Sequence, residues 1–281
     1  MMRHGGSSRS VVAGLLLLGL LCLALPAILQ ADDLWQRLEP GLEFGRFEMP
    51  HPLDERTGIA HVLRIDPAHF RFRLLAASAT EARRPYTARG WAQQAGLVAA
   101  INASMFQADF LSSVSLMRAP GHVNNPRLSS DKTVLAFDPR VPGLPPVRLI
   151  DRECDDFEAL REQYATLVQS IRMVSCTGRN VWAENERRWS TALIATDAQG
   201  RVLFVHVRAP YSMYVLIEEL RALPLGIERA MYTEGGVQAQ LYVESGDFVQ
   251  EFVGSLGSGY AVGEGGPSLW PVPNVIGIER R

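Results

Sequence analysis

The stretch Thr191-Ala192-Leu193-Ile194-Ala195-Thr196-Asp197-Ala198-Gln199-Gly200-Arg201-Val202-Leu203-Phe204-Val205-His206-Val207 decides the fold. Two apolar, β-branched-rich runs flank the polar turn Asp197-Ala198-Gln199-Gly200, which predicts a β-hairpin. Downstream, Leu216, Leu220 and Leu223 fall on one stripe and predict a helix from about Tyr214 to Leu223. Ala230–Thr233, Gln240–Val243 and Val275–Ile278 then read as strands. Upstream, His61–Ile65 and Phe70–Leu74 read as strands joined by Asp66-Pro67-Ala68. Ala88, Trp91, Ala92 and Ala95 recur at helical spacing before Gly96. Leu97–Ile101 and Val134–Phe137 are short buried-strand runs, and Phe157, Leu160, Tyr164 and Leu167 share a spacing that predicts another helix. Strands and helices alternate without an internal repeat, so the class is α/β, more narrowly α+β with a mixed sheet. The expected organisation is one compact domain over 61–281, preceded by an N-terminal arm over 32–60.

Composition narrows the partners. Against 30 Asp plus Glu stand 28 Lys plus Arg, a formal charge of −2, so no basic excess exists to neutralise a nucleic-acid backbone. Lys132 is the one lysine; the other basic residues are arginines, whose planar forks suit phosphate and carboxylate.

Arg3, His4 and Arg9 precede an apolar run from Val11 to Leu25, followed by Pro26, Ala27 and Ala31 ahead of Asp32 and Asp33. This is the layout of a secretory signal peptide over 1–31; an uncleaved segment would instead be a membrane anchor. Either way the expected location is exported, periplasmic or extracellular, with membrane contact only through that segment. In an oxidising compartment Cys154 and Cys176 are expected to pair.

Several weak motifs are set aside. Ser129-Ser130-Asp131-Lys132 has the S-x-x-K spacing of serine acyl-enzymes but lacks their companion motifs. No two histidines stand at zinc-ligand spacing, and His206, inside an apolar strand, reads as a sheet residue. His122 lies in the polar loop Pro120–Pro126, where imidazole and the Asn124 amide can be presented together. The glycine-rich stretch 254–267 has no phosphate-loop spacing and reads as a mobile or tightly turned loop.

The order of Arg188 ahead of Thr191-Ala192, a hairpin, Arg208 ahead of Tyr211-Ser212, a helix with Glu219-Leu220, and a strand ending in Glu234-Gly235-Gly236 resembles the phosphodiester glycosidase family. Its first block, an apolar strand ending in Asn before small residues and Phe, is similar to Ala100-Ile101-Asn102-Ala103-Ser104-Met105-Phe106. Its last block, Leu-Asp-Gly-Gly-Gly-Ser-Ser-Thr, falls without gaps on Thr233–Gln240. There Glu234 replaces the usual Asp, and Val237, Gln238 and Ala239 replace a glycine and two hydroxyl residues.

The resemblance implies an exported hydrolase that cleaves a glycosyl phosphodiester in a surface glycan or related carbohydrate. The alternative is a non-catalytic polysaccharide-binding protein with an altered site. Glu234, Asn102 and His122 are the expected catalytic residues. Arg188, Arg208, Ser212, Gly235, Gly236, Phe106 and Asn124 are expected around phosphate and sugar. Glu234 could also hold a divalent cation, calcium or magnesium. Glu234 and Asn102 both end strands, and if those strands are adjacent they meet at one sheet edge.

Overall fold

The computed structural model describes residues 34–53, 58–255 and 270–281, so the expected signal segment and most of the glycine-rich stretch lie outside the described residues. In chain order the strands and helices are β1 (Trp35–Glu39), β2 (Leu42–Glu48), β3 (Ile59–Ile65), β4 (Phe70–Ala76), α1 (Ala88–Ala95), β5 (Ala99–Asn102), β6 (Met117–Ala119), β7 (His122–Asn125), β8 (Thr133–Pro139) and β9 (Val147–Asp151). They continue as α2 (Phe157–Arg161), β10 (Tyr164–Ser170), β11 (Arg172–Val174), β12 (Arg188–Asp197), β13 (Val202–Ser212), α3 (Met213–Ala222), β14 (Ile227–Gly235), β15 (Gln240–Ser245), β16 (Phe248–Val253) and β17 (Asn274–Arg280).

The strands form three sheets. One has seven strands in the order β1-β2-β3-β13-β12-β14-β11; the others have five each, β7-β6-β10-β8-β9 and β16-β15-β5-β17-β4. Few helices and antiparallel ladders place the protein on the α+β side of its class. Residues 35–281 form one compact unit.

The hairpin β12–β13 is the spine, for a reason visible in its composition. Leu193, Ala195, Leu203, Val205 and Val207 pack with Leu216, Ile217 and Leu220 of α3. Ala192, Ile194, Val202 and Phe204 pack on the opposite face with Ile101, Leu241 and Ile276 of the other layer. Both faces are buried, so the run is continuously apolar rather than alternating. Each large side chain so buried contributes roughly 1.5–3 kcal/mol relative to exposure. The turn is closed by the Asp197 carboxylate, which accepts from the Gln199 and Arg201 backbone N–H groups, while Gly200 supplies φ +76. Helix α1 ends at Gly96 as its sequence predicts, with φ 64, and its start is capped by the Thr87 hydroxyl, which accepts from Gly90 N.

Two expectations change. The second helix was expected to carry Tyr164 and Leu167, but α2 stops at Arg161 and both residues belong to β10, paired with β8 on one edge and β6 on the other. Thr166 and Val168 are β-branched, and pairing along two edges overrides a helical spacing that was only local. The segment 32–60, expected as an arm, carries β1 and β2. Leu42 and Phe44 of β2 lie in the core while β2 pairs with β3. Cys154 and Cys176 form a disulfide, their Cα atoms 6.5 Å apart.

Candidate active site

Glu234 is held at the end of β14 by a register that runs across five strands: Arg46 pairs with His61, His61 with His206, His206 with Ala192, and Ala192 with Glu234. A β-bulge falls at this point of β14, between the Ala192 and Leu193 pairings, and re-aims the acid relative to the regular ladder. Thr233 fixes the bulge by donating its hydroxyl to Ala192 O at 2.9 Å. Glu234 is 9% exposed, and its Oε1 accepts from Gly235 N at 2.9 Å, the one hydrogen bond to its carboxylate among the described residues. Burial pushes the carboxyl up to about 7 against the opposing pull of that N–H. Burial, and then the charge of Glu234, raise the phenol of Tyr232. Gly235 is required as glycine, because a Cβ there would collide with the Tyr232 hydroxyl and the Trp189 ring.

Asn102 approaches from another sheet. It ends β5, which pairs with β15 and β17, whereas β14 lies in the seven-stranded sheet. The expected single sheet edge is therefore two facing layers, joined by the turn from Gly235 to Gln240. Asn102 clamps that turn with both ends of its amide: Nδ2 donates to Gln238 O at 2.8 Å and Oδ1 accepts from Gln240 N at 2.7 Å. Being 1% exposed with both amide atoms engaged, Asn102 positions the turn rather than offering itself to a ligand. Gly254 N donates to Ala239 O, Ser255 N to Ser190 Oγ and Gln240 Nε2 to Trp270 O, so both flanks of residues 256–269 are tied here. Gly254 packs on the Gly236 carbonyl and Ser190 without room for a side chain.

Arg188, Arg208 and Ser212 lie at the same end of the seven-stranded sheet as Glu234. Arg188 is exposed and faces Ser212 across β12–β13; Arg208 is half-buried, and its carbonyl accepts from the Ser190 hydroxyl. Neither guanidinium has a carboxylate partner among the described residues. His206 is buried, and its Nε2 donates to Ala239 O at 3.2 Å, as befits a sheet residue. Burial lowers it to about 3 and lowers its neighbour His61 to about 4.

His122, Asn124 and Phe106 form a second group. His122 Nε2 lies 2.8 Å from Ser78 Oγ, and Asn124 donates to the same oxygen and to Leu111 O. No hydrogen bond among the described residues links this group to Glu234 or the arginines; it reaches the first through the backbone from Asn102 to Phe106. Sequence reading missed Tyr232 and Trp189 as shapers of the acid's surroundings. Both lie within motif segments, but their contacts over Gly235 depend on the bulge.

The S-x-x-K motif carries no nucleophile. Ser129 donates to Asp131, which also accepts from Ser115, and Lys132 lies 3.8 Å from Glu153. Among the described residues, the group of three or more His, Cys, Asp or Glu close enough to hold a cation is Asp151, Cys154 and Cys176, with the cysteines bridged, and Glu234 is not part of it.

Solved structures with this fold include a sugar-phosphodiester hydrolase. The catalytic domain of zebrafish N-acetylglucosamine-1-phosphodiester alpha-N-acetylglucosaminidase, auto-inhibited by its pro-peptide, superposes with TM-score 0.65 at 10% identity, covering 88% of this chain and 86% of that one. A hypothetical protein from Synechocystis gives TM-score 0.59 at 15% identity, covering 88% of this chain and 63% of that one. At these identities the likeness is one of fold. No curated protein matches the sequence. Residues 95–279 match the sequence model of the NAGPA phosphodiester glycosidases, and the chain belongs to that family.

Proposed function

We propose that the chain is an exported hydrolase that cleaves a glycosyl phosphodiester, with Glu234 as general base. The observation that carries this is a buried carboxyl pushed up to about 7 in the family's acid-Gly-Gly block. A group titrating near neutrality accepts a proton readily and returns it readily. Glu234 takes a proton from water as the water oxygen bonds to the anomeric carbon. The bond from that carbon to the phosphate oxygen breaks with its electrons, and a phosphate monoester departs. Arg208 and Arg188 hold the departing phosphate, which guanidinium forks suit. Asn102 keeps the 235–240 turn, and through it the acid, in place. The test is release of phosphomonoester from sugar phosphodiesters, with and without added calcium or magnesium. Turnover should climb as pH passes about 7, and a wild type that releases nothing sinks the proposal. Val237, Gln238 and Ala239 at the family's glycine and hydroxyl positions favour one second reading, a glycan-binding protein without turnover. Binding without cleavage is its signature.

A further inference from the structure

Phe110 is an exposed aromatic held in a backbone conformation that phenylalanine avoids. It is 44% exposed with φ 56, and apart from Arg83 and Asp138 no other described non-glycine residue has positive φ. A bulky side chain there is strained, and strain persists where the surroundings enforce it. The enforcement is explicit. Phe110 N donates to Gln107 O, Gln107 N to Ser112 O, and the Asp109 carboxylate accepts from Leu111 N, Ser112 N and the Ser112 hydroxyl. The loop tip is thereby fixed with the Phe110 ring tilted against Phe106 at 5.4 Å between centroids. Asn124 pins the loop from the side through Ser113 N and Leu111 O.

This loop grows directly out of the candidate site. Phe106 is four residues beyond Asn102, Val114 N donates to Met105 O to close the loop's base, and Met105 packs in the same cluster as Tyr232 and Trp189. Four residues of extended chain span at most about 14 Å, roughly the length of two or three sugar rings. Phe106 is thus tethered within that reach of Asn102, and Phe110 packs on Phe106 at the loop tip. Two aromatic rings beside hydroxyl and amide groups suit a sugar, whose C–H face packs on the electron-rich ring while its hydroxyls meet polar neighbours. Two rings are too small a patch to seat a protein or a membrane.

We infer that Phe110, braced by Phe106, is a stacking platform for a sugar ring of the substrate beyond the phosphodiester that is cleaved. The enzyme then acts on extended glycans in preference to small phosphodiesters. The inference rests on the proposed function for its substrate class, and the test separates the two. N-acetylglucosamine-1-phosphate is esterified either to methanol or to a disaccharide, and kcat/KM is measured for both. Wild type should prefer the disaccharide ester about tenfold, Phe110→Ala should abolish that preference, and Phe110→Trp should keep it. Phe110→Gly suits the left-handed backbone and controls for folding; it should lose the preference with an unchanged melting temperature. No preference in wild type, or an undiminished one in Phe110→Ala and Phe110→Gly, overturns the platform. If wild type cleaves neither ester, the hydrolase reading fails and the platform is judged by calorimetric titration with the disaccharide ester. About tenfold weaker binding in Phe110→Ala supports it; equal affinity, or no binding by wild type, overturns it.

Discussion

Asp151 and Glu234 are both carboxylic acids at the edge of the core, 1% and 9% exposed, and the fold treats them oppositely. Burial pushes Asp151 up, but the N–H groups of Cys176 and Glu153 and both oxygens' contacts with Arg172, at 2.8 and 2.9 Å, outweigh it and leave the group below the ordinary range. Asp155 beside it is likewise lowered, with Arg229 and Arg148 as partners. Glu234 receives one backbone N–H and stays raised. The lesson is that burial alone does not set a carboxyl's charge; the supply of donors does. A carboxyl denied donors is free to exchange its proton, whereas a fully served one holds structure.

The sharpest way to break this contrast is to neutralise each acid in turn. Glu234→Gln should lower turnover by about two to four orders of magnitude while the protein still folds, read from phosphomonoester release. Asp151→Asn should do the reverse, costing about 1–3 kcal/mol in denaturant unfolding, because it removes the charge that Arg172 and the Cys176 and Glu153 N–H groups serve and leaves Arg172 with Glu153 alone. Equal loss of stability in both variants would erase the distinction.

A second difference appears in pH. The folded Glu234 carboxyl titrates near 7 and the unfolded one near 4.5, so between those values the unfolded chain has released a proton that the folded one keeps. Stability therefore falls as pH rises through that window, by about 3 kcal/mol in all. Thermal melts should show Glu234→Gln more stable than wild type at pH 8 and equal to it at pH 4. Asp151 has the opposite sign: its lowered value gives stability that is present above pH 4 and lost on further acidification. His61 and His206, lowered to about 4 and about 3, also withdraw stability as pH falls below 6.5. Smaller effects should follow at the periphery. Asn102→Ala orphans Gln240 N and Gln238 O and should cost about 2 kcal/mol together with part of the turnover. Arg208→Ala should raise KM about tenfold, the size of one lost charge-assisted contact, with kcat less affected.

What the sequence disclosed followed from how local each signal was. The 191–207 hairpin, the Gly96 end of α1 and the strand into Glu234 were legible because turn chemistry and apolar runs are read within a few residues. Tyr164 and Leu167 were misplaced because a three-to-four-residue spacing cannot report two flanking strands far away in sequence. Leu42 and Phe44 were overlooked as core because β2 is buried only once β3 lies beside it. Glu234 could be singled out from its glycines. Its isolation from donors could not, since that depends on the bulge at Thr233 and on Tyr232 and Trp189 closing over Gly235. Asn102 was expected near the acid for the wrong geometry, a shared sheet edge in place of two layers joined by a clamped turn.

The position of β17 has a consequence for how the protein is made. It lies between β4 and β5, pairing residues 274–280 with Phe70–Ala76 on one side and Ala99–Asn102 on the other. The strand that carries Asn102 thus waits for a partner synthesised about 170 residues later, a long-range pairing of the slow kind. A nascent chain ending between residues 246 and 273 has every proposed catalytic side chain but lacks the strand that completes the layer holding Asn102. The active site is consequently assembled after synthesis reaches those last strands, and premature termination anywhere before them yields a protein without it.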